Sequence, residues 1–475
     1  MQPFKDHAPA FHPPGSHQPA LRRALGPWST VAIIMGTVIG SGIFLVPTDM
    51  IKAVGTPGMV FAVWVFAGIL SLFGALTYAE LSAAMPEAGG EYVYLTVAYG
   101  PFWGFLYAWT QTWVAKSASI AALATAFYTY LADFLPGLQA PLYIVPWPIG
   151  PGGGPLEIRY GQLLAIGLIL LLSAVNYRGV EVGGNVQVGV TVLKVLLIAA
   201  VIVVGLLSRQ AHVLNLSTSA TPIPGGPAGF FVALVAALWA YDGWNNAGML
   251  GSEVKDPQRT FPLALIAGVT AIIGVYLLTN FAYFSVLNAG EVAASNRVAA
   301  DMMRSIAGPH GAAAVSVAAM ISIFAALNGS ILSGSRVPYA MARDGYFFRH
   351  VGLVNPRFRT PSASILLLGV WSSLFVLSGH YSDLYNAVIF PSWILYGMTA
   401  AAVIVLRRKR PDLARPYRTW GYPWVPLAFV GVTILLLYQT LVSSPRASGI
   451  GLVVIVLGVP FFFYWKRRAG RSEAS

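Results

Sequence analysis

The sequence predicts an all-α polytopic membrane protein with twelve transmembrane helices. Three observations carry that prediction. First, mean hydropathy is +0.68 and only 10% of residues are charged, against about 25% in soluble domains. Second, twelve apolar stretches each approach the length that crosses a bilayer, roughly 20 residues. Third, Lys and Arg alternate in abundance from one inter-span segment to the next, as the positive-inside rule requires.

The basic residues justify the elements in order. The tail 1–27 carries Lys5, Arg22 and Arg23, and is otherwise polar and rich in Pro and His. It lacks the charged-then-apolar order of a cleaved signal peptide, so the first span is expected to serve as its own insertion signal. Span 1 (28–50) leads to an external segment with Lys52, and span 2 (58–84) returns. Spans 3 (101–131) and 4 (159–177) flank the longest external loop, 132–158, which ends on Arg159. Its Pro146, Trp147, Pro148, Pro151, Gly152, Gly153 and Gly154 predict a lid or an ordered surface loop. Arg178 precedes span 5 (184–207) on the inner side, and Arg209 follows it outside. Span 6 (228–252) runs inward to Lys255 and Arg259, and span 7 (261–287) runs outward to Arg297 and Arg304. Span 8 (310–341) ends among Arg336, Arg343, Arg349, Arg357 and Arg359. Spans 9 (362–379) and 10 (383–406) return to Arg407, Arg408, Lys409, Arg410, Arg415 and Arg418. Arg446 lies between spans 11 (422–442) and 12 (446–465), and Lys466, Arg467, Arg468 and Arg471 close the chain inside. Both termini are therefore expected in the cytoplasm. Spans 3 and 8 are long enough to tilt or protrude.

The net charge of +12 is explained by this topology and by attraction to anionic lipid, with no need for nucleic acid. The chain has no cysteine, which removes disulfides, thiolate metal sites and cysteine nucleophiles. The seven histidines, His7, His12, His17, His212, His310, His350 and His380, lie in tails, loops or span ends, so neither a metal nor another cofactor is expected. An intramembrane enzyme would need a nucleophile, a paired base or a metal cluster in the bilayer. No span centre holds a histidine, and carboxylates are too few for a dyad. An ATP-driven pump would need a phosphate-binding glycine loop followed by Lys and Ser or Thr, and none occurs.

Two spans are interrupted near their middles. Span 1 contains Gly36-Thr37-Val38-Ile39-Gly40-Ser41-Gly42, and span 6 contains Trp239-Ala240-Tyr241-Asp242-Gly243-Trp244-Asn245. Glycine lowers the barrier to unwinding and lets a ligand approach the backbone. Unwound backbone at membrane depth is tolerated only where it lines a cavity or is buried in protein. Taken alone, Gly36 and Gly40 also fit a small-residue packing motif. The paired break five spans later, on a helix of opposite direction, is the signature of an inverted repeat with its site at the repeat interface. The repeats would be 28–207 and 228–406, with 422–465 as two extra helices and 466–475 as a cytoplasmic tail. The free N–H groups of one half-helix suit a carboxylate, and the free carbonyls of the other suit an ammonium. Together they fit the zwitterionic backbone of an α-amino acid.

At these residues the sequence resembles the amino acid–polyamine–organocation superfamily, most closely the L-type amino acid transporters and their bacterial relatives. Gly40-Ser41-Gly42-Ile43-Phe44 is similar to that family's first-helix motif. So are Tyr78-Ala79-Glu80-Leu81 with Pro86 to Tyr94, Ala240 to Asn245 with Glu253 to Pro257, Asn328-Gly329-Ser330 with Ser335-Arg336 and Ala342 to Gly345, and Arg410 to Tyr417. The resemblance implies the leucine-transporter fold and secondary active transport of L-amino acids at the cell membrane. It implies a substrate site at Ile39, Gly40, Ser41, Gly42, Trp239, Ala240, Tyr241, Asp242 and Gly243. Ser41 and Gly42 would hold the carboxylate. The carbonyls of Trp239 and Ala240 and the backbone at Asp242 would hold the amino group, with Trp239 as an aromatic gate. Eukaryotic members pair through a disulfide with a single-span heavy subunit, and a chain without cysteine is not expected to.

Lys194 lies mid-span in helix 5, and an intramembrane lysine is a functional residue by default. The resemblance puts it where related transporters bind a second sodium. There it would tie the span 1 break to span 8 through the Gly36 carbonyl and the Ser330 and Ser333 hydroxyls. That arrangement implies sodium-independent exchange or proton-coupled uptake. Asp242 has two readings: it recognises a cationic side chain, or it accepts hydrogen bonds from freed backbone N–H groups. Neutral amino acids are the expected substrates, with a cationic amino acid or polyamine carrier as the alternative. Lys116 is expected to be structural or to face a polar seam, and Glu80 to join a gating network with the loop.

Overall fold

Proline marks the helix starts in this chain. Pro27, Pro57, Pro101 and Pro257 each stand in a first turn, where the missing N–H costs nothing and φ is already set. Thr56 adds a side-chain cap, accepting from the Met59 N–H at 3.4 Å. The computed structural model describes residues 20–146, 155–220, 226–377, 381–443 and 445–473.

The helices α1 (Pro27–Val38) and α2 (Gly42–Val54) form the two halves of span 1 and meet at 42°. Then come α3 (Pro57–Ala84), α4 (Glu91–Tyr99), α5 (Pro101–Thr110) and α6 (Lys116–Leu131). The strands β1 (Pro141–Val145) and β2 (Leu156–Arg159) precede α7 (Tyr160–Tyr177) and α8 (Val180–Leu207). Span 6 is α9 (Gly226–Tyr241) followed by the short α10 (Asn246–Met249). Next are α11 (Pro257–Val286), α12 (Ala289–Ala294), α13 (Val298–Gly334) and α14 (Arg336–Arg343). Last are α15 (Ser362–Val376), α16 (Tyr381–Lys409), α17 (Trp424–Ser443) and α18 (Pro445–Glu473).

This is an all-α polytopic membrane protein. Among the described residues eight helices are long and apolar enough to cross a bilayer, or nine when α1 and α2 count as one bent span. α9 and α15 are shorter apolar helices. Span 3 is divided between α5 and α6 by a π turn over Gln111–Ala115, a feature found mostly at functional places in helices.

The structure differs from the sequence reading in three further places. The loop 132–158 contains an antiparallel hairpin, β1 on β2, the β exception to an otherwise helical chain. The expected lid residues Trp147, Pro148, Pro151, Gly152, Gly153 and Gly154 lie outside the described residues, as do residues 1–19 of the tail and His380. α4 is an extra helix inside the connection from span 2 to span 3. α13 is broken at Ala307 and Gly308, where Gly308 has φ +63°, so the spanning part starts near Pro309.

Burial divides the helices. In the most apolar window of α13–α14, 78% of residues are buried, against 22% in α17. α1 packs on α8, α11 and α13, and α2 packs on α9. The broken helices are therefore enclosed by protein, and α17 and α18 face lipid. Where span 6 ends, Glu253 and Arg336 form a fully buried two-point ion pair, Nε–Oε1 2.7 Å and Nη2–Oε2 2.8 Å. The Glu253 carbonyl also accepts from the Ala24 and Leu25 N–H groups, which draws the N-terminal segment onto the exit of span 6.

Candidate substrate site

α1 stops at Val38 because Gly40-Ser41-Gly42 cannot hold its helical ladder against the pull of neighbouring helices. Three of the carbonyls freed by the break, those of Gly36, Val38 and Ile39, are taken up by side chains from elsewhere. Lys194 on α8 donates from Nζ to the Gly36 carbonyl at 2.7 Å and to the Ile39 carbonyl. Ser322 on α13 donates to the same Ile39 carbonyl at 2.9 Å. The Tyr276 hydroxyl on α11 lies 3.0 Å from the Val38 carbonyl oxygen and 2.7 Å from the Ala240 carbonyl oxygen. Tyr276 thus bridges the two breaks.

The breaks also touch directly. A Cβ built on Gly42 would lie 2.6 Å from the Ala240 Cβ and 2.7 Å from its Cα. Glycine is required there by close approach. Gly243, with φ +107°, is required by conformation, since the chain turns left-handed as α9 ends. α2 starts at Gly42, and the first N–H groups of a helix have no partner within it. They carry partial positive charge and favour an anion.

A small cavity of about 20 Å³ lies between the breaks. Its walls include Gly40, Ser41 and Gly42 from span 1, Trp239, Asp242 and Gly243 from span 6, Ser119 and Leu123 from α6, and Ser330 from α13. That is room for about one water molecule, against the roughly 300–1,000 Å³ usual for small-molecule sites, so the space between the breaks is nearly closed. The α2 N-terminus offers an anion site on one wall, and the Asp242 carboxylate stands on another.

The amino acid permease family model matches residues 25–462 of this chain. The chain belongs to the amino acid permease family. Its activity is the transport of amino acids across a membrane, and the family is one of transporters rather than enzymes. The permease is 30% identical over 462 residues to b(0,+)-type amino acid transporter 1 of Mus musculus, covering 95% of this chain and 91% of the relative. It is 31% identical to the serine/threonine exchanger SteT of Bacillus subtilis (strain 168), covering 94% and 98%. It is 29% identical to the cystine/glutamate transporter of Homo sapiens, covering 96% and 88%.

The structure brings most of the sequence-predicted residues of the permease together. Gly40, Ser41, Gly42, Trp239, Asp242, Gly243 and Ser330 all line the cavity. Gly36 and Ile39 contribute carbonyls to Lys194, which is 0% exposed. Two expectations are corrected. Tyr241 turns away, its ring packed 5.7 Å from Trp64 and 5.0 Å from Tyr276 between centroids. Ser330 and Ser333 do not meet Lys194: Ser333 donates to the Gly329 carbonyl at 2.7 Å, and Ser330 lines the cavity. The α13 hydroxyl at that junction is Ser322, two turns earlier. The expected amino-group ligands are engaged here as well. The Ala240 carbonyl faces Tyr276, and the Trp239 carbonyl accepts the Asp242 N–H at 3.1 Å. Glu80 accepts a two-point ion pair from Arg407 at 2.9 and 2.6 Å, and the Thr419 N–H at 2.7 Å. It joins the end of α16 to the loop that follows.

Four residues outside the predicted set complete the site. Besides Tyr276, they are Lys116, Tyr396 and Glu91. Lys116 is buried, donates from Nζ to Asn246 Oδ1 at 2.7 Å, and lies close enough to Asp242 and Glu91 for its charge to act on both. Tyr396 donates to Asp242 Oδ1 at 3.0 Å. Glu91, on α4 outside the spans, is 0% exposed and accepts from Asn245 Nδ2 and from the Tyr107 hydroxyl at 2.9 Å. Burial pushes its carboxyl up to about 7, against the opposing pull of Asn245, Tyr107 and the Lys116 charge. A charge on one member of such a network is felt by the rest. Only the charge of Lys116 and the polar positions at Asn245 and Asn246 were visible in the sequence.

Proposed function

We propose that this permease carries neutral L-amino acids, small ones above all, by sodium-independent exchange or proton-coupled uptake. The observation that supports neutral substrates is the pairing of Asp242. Its carboxylate already receives the Tyr396 hydroxyl and feels the Lys116 ammonium. A cationic substrate side chain would meet Lys116 as well as Asp242, and like charges in a low-dielectric pocket repel strongly. The serine hydroxyls and glycines of the cavity wall offer polar contacts and little bulk to a short side chain. Ser41 and Gly42, at the α2 N-terminus, would receive the substrate carboxylate.

Lys194 supports sodium independence. Its Nζ already occupies the Gly36 and Ile39 carbonyls that a bound cation would need. Exchange is supported by likeness to a serine/threonine exchanger over nearly its whole length. The same reading gives twelve crossings in two inverted five-helix repeats plus two helices, counting α9, α15 and the π-interrupted span 3 as crossings. It places both termini in the cytoplasm of a cell whose plasma membrane holds the chain. The partners are the amino acid and the lipid, and with no cysteine in the chain a disulfide-linked subunit is not among them.

Counterflow into proteoliposomes with labelled amino acids, competed by leucine, serine and arginine, tests this. Serine or leucine should compete and arginine should not, and Asp242→Asn should weaken all substrates alike. Arginine uptake that is lost alone in Asp242→Asn would establish the second reading, a cationic amino acid carrier, which the position of Asp242 on the cavity wall favours.

A further inference from the structure

A second cavity, of about 350 Å³, lies on the lipid-facing side between α7 and α15. Leu170, Ala174 and Leu366 line it and are themselves exposed on the helix surfaces. Ser173 and Gly369 line it too, and Tyr177, Arg178 and Phe358 close one end.

That end is built and basic. Asn355 Oδ1 accepts the Arg357 and Phe358 N–H groups at 2.9 and 3.1 Å, and the Asn355 carbonyl accepts the Arg359 N–H at 2.8 Å. Thr360 donates to the Tyr177 carbonyl at 2.9 Å. The turn so fixed holds Arg359 at φ +52°, a left-handed conformation that a non-glycine residue keeps only under constraint. It presses Phe358 onto Tyr177, centroids 5.7 Å apart, with the Arg357 guanidinium 5.2 Å above the Phe358 ring. Arg178, Arg357 and Arg359 are exposed, and no carboxylate pairs with any of them among the described residues.

The floor carries an independent sign of a ligand. Ser173 is 1% exposed, yet its Oγ has no hydrogen-bond partner among the described residues. A buried unmet hydroxyl costs about 1–3 kcal/mol. Gly369 lets it stand there, since a Cβ on Gly369 would come within 2.5 Å of that Oγ. Ser173 lies five residues from Arg178 on one helix, roughly 7.5 Å along the axis.

We propose that this groove binds a phospholipid with an anionic headgroup. The phosphate sits on Arg178 and Arg357, a glycerol ester oxygen accepts from Ser173, and an acyl chain lies against Leu170, Ala174 and Leu366. Charge complementarity selects the headgroup, and an arginine fork suits phosphate oxygens. The apolar walls select a chain-bearing ligand over a free anion.

Native mass spectrometry on the full chain, titrated in detergent with phosphatidylglycerol, phosphatidylcholine or inorganic phosphate, tests the assignment. Both lipids carry the phosphate, but the choline cation offsets its charge beside three arginines, so phosphatidylglycerol should bind about tenfold more tightly than phosphatidylcholine. The double variant Arg178→Ala, Arg357→Ala should reduce it to the phosphatidylcholine level. Ala174→Leu, an exposed substitution that fills the groove without touching Ser173, should weaken both lipids. Monodisperse elution on gel filtration confirms that each variant has folded. Equal affinity for the two lipids, or tight phosphatidylglycerol binding retained by the arginine variant, would overturn the proposal. Inorganic phosphate that displaces phosphatidylglycerol at matching concentration would also overturn it, by showing a free-anion site.

Discussion

Replacing Gly42 by alanine tests the site at its narrowest point. Gly42 is helical, so the added methyl group brings no conformational strain. Its cost is contact: the new Cβ would stand 2.6 Å from the Ala240 Cβ and 2.7 Å from its Cα. Carbon atoms pack at roughly 3.5–4.0 Å, so the two breaks must part by about 1 Å. That shift moves the α2 N–H groups away from a substrate carboxylate and stretches the Tyr276 bridge. Losing one hydrogen bond to a charged group costs about 1.5–3 kcal/mol, or roughly tenfold to a hundredfold in affinity. Gly40→Ala is the internal control, because its nearest neighbours would be the Ala326 Cβ at 3.2 Å and a Leu123 methyl at 3.3 Å. Those side chains can give by a few tenths of an ångström. Counterflow in proteoliposomes, with half-saturation measured for serine and leucine, should show a weakening of at least tenfold in Gly42→Ala and a small one in Gly40→Ala. Equal half-saturation for Gly42→Ala and the wild type would refute the argument that these breaks hold the substrate backbone.

Lys194→Ala strips two buried carbonyls of their shared donor, and should slow exchange at least tenfold while membrane insertion, read by expression and gel filtration, is largely kept; an unchanged exchange rate would return Lys194 to a purely structural role. Glu91→Gln should alter the pH dependence of stability. A carboxyl held at about 7 in the folded state and near 4.3 when unfolded favours folding while protonated. That contribution is fully present below about pH 4.3 and is lost as pH rises through 7. The loss amounts to about 4 kcal/mol at 1.36 kcal/mol per pKa unit, so thermal unfolding followed from pH 5 to 8 should lose much of its downward slope in Glu91→Gln, and parallel slopes would contradict the burial of this carboxyl. In this cysteine-free chain, single cysteines at Ser382 and Ser472 should react with impermeant maleimide from opposite faces, Ser382 from outside; labelling from the same face would break the twelve-span topology.

The two broken spans were legible because glycine and carboxylate are costly inside a span and occur there only for a reason. Lys194 was legible on the same ground, and its reach to Gly36 followed from the resemblance. Which turn of α13 would share that junction was not. Ser322, Ser330 and Ser333 are equivalent in sequence, and only helix rotation and depth choose among them. Tyr276 is one of 22 tyrosines, and nothing local marks the one that meets two foreign carbonyls. Lys116 looked structural because its partner Asn246 is 130 residues away. Glu91 sits in a connection where water would be expected, and its burial comes from α4 folding against α5 and α16. The π turn at Gln111–Ala115 carries no residue signal. It registers how span 3 fits its neighbours, which is a tertiary property.

Tyr276 carries one further consequence. A phenol has a single proton to give, and two carbonyls stand within its reach, at 3.0 and 2.7 Å. At any instant one of them goes without. The tyrosine therefore grips one break at a time. The hydroxyl behaves as a two-position clutch between the halves, engaged on one side only by letting go of the other.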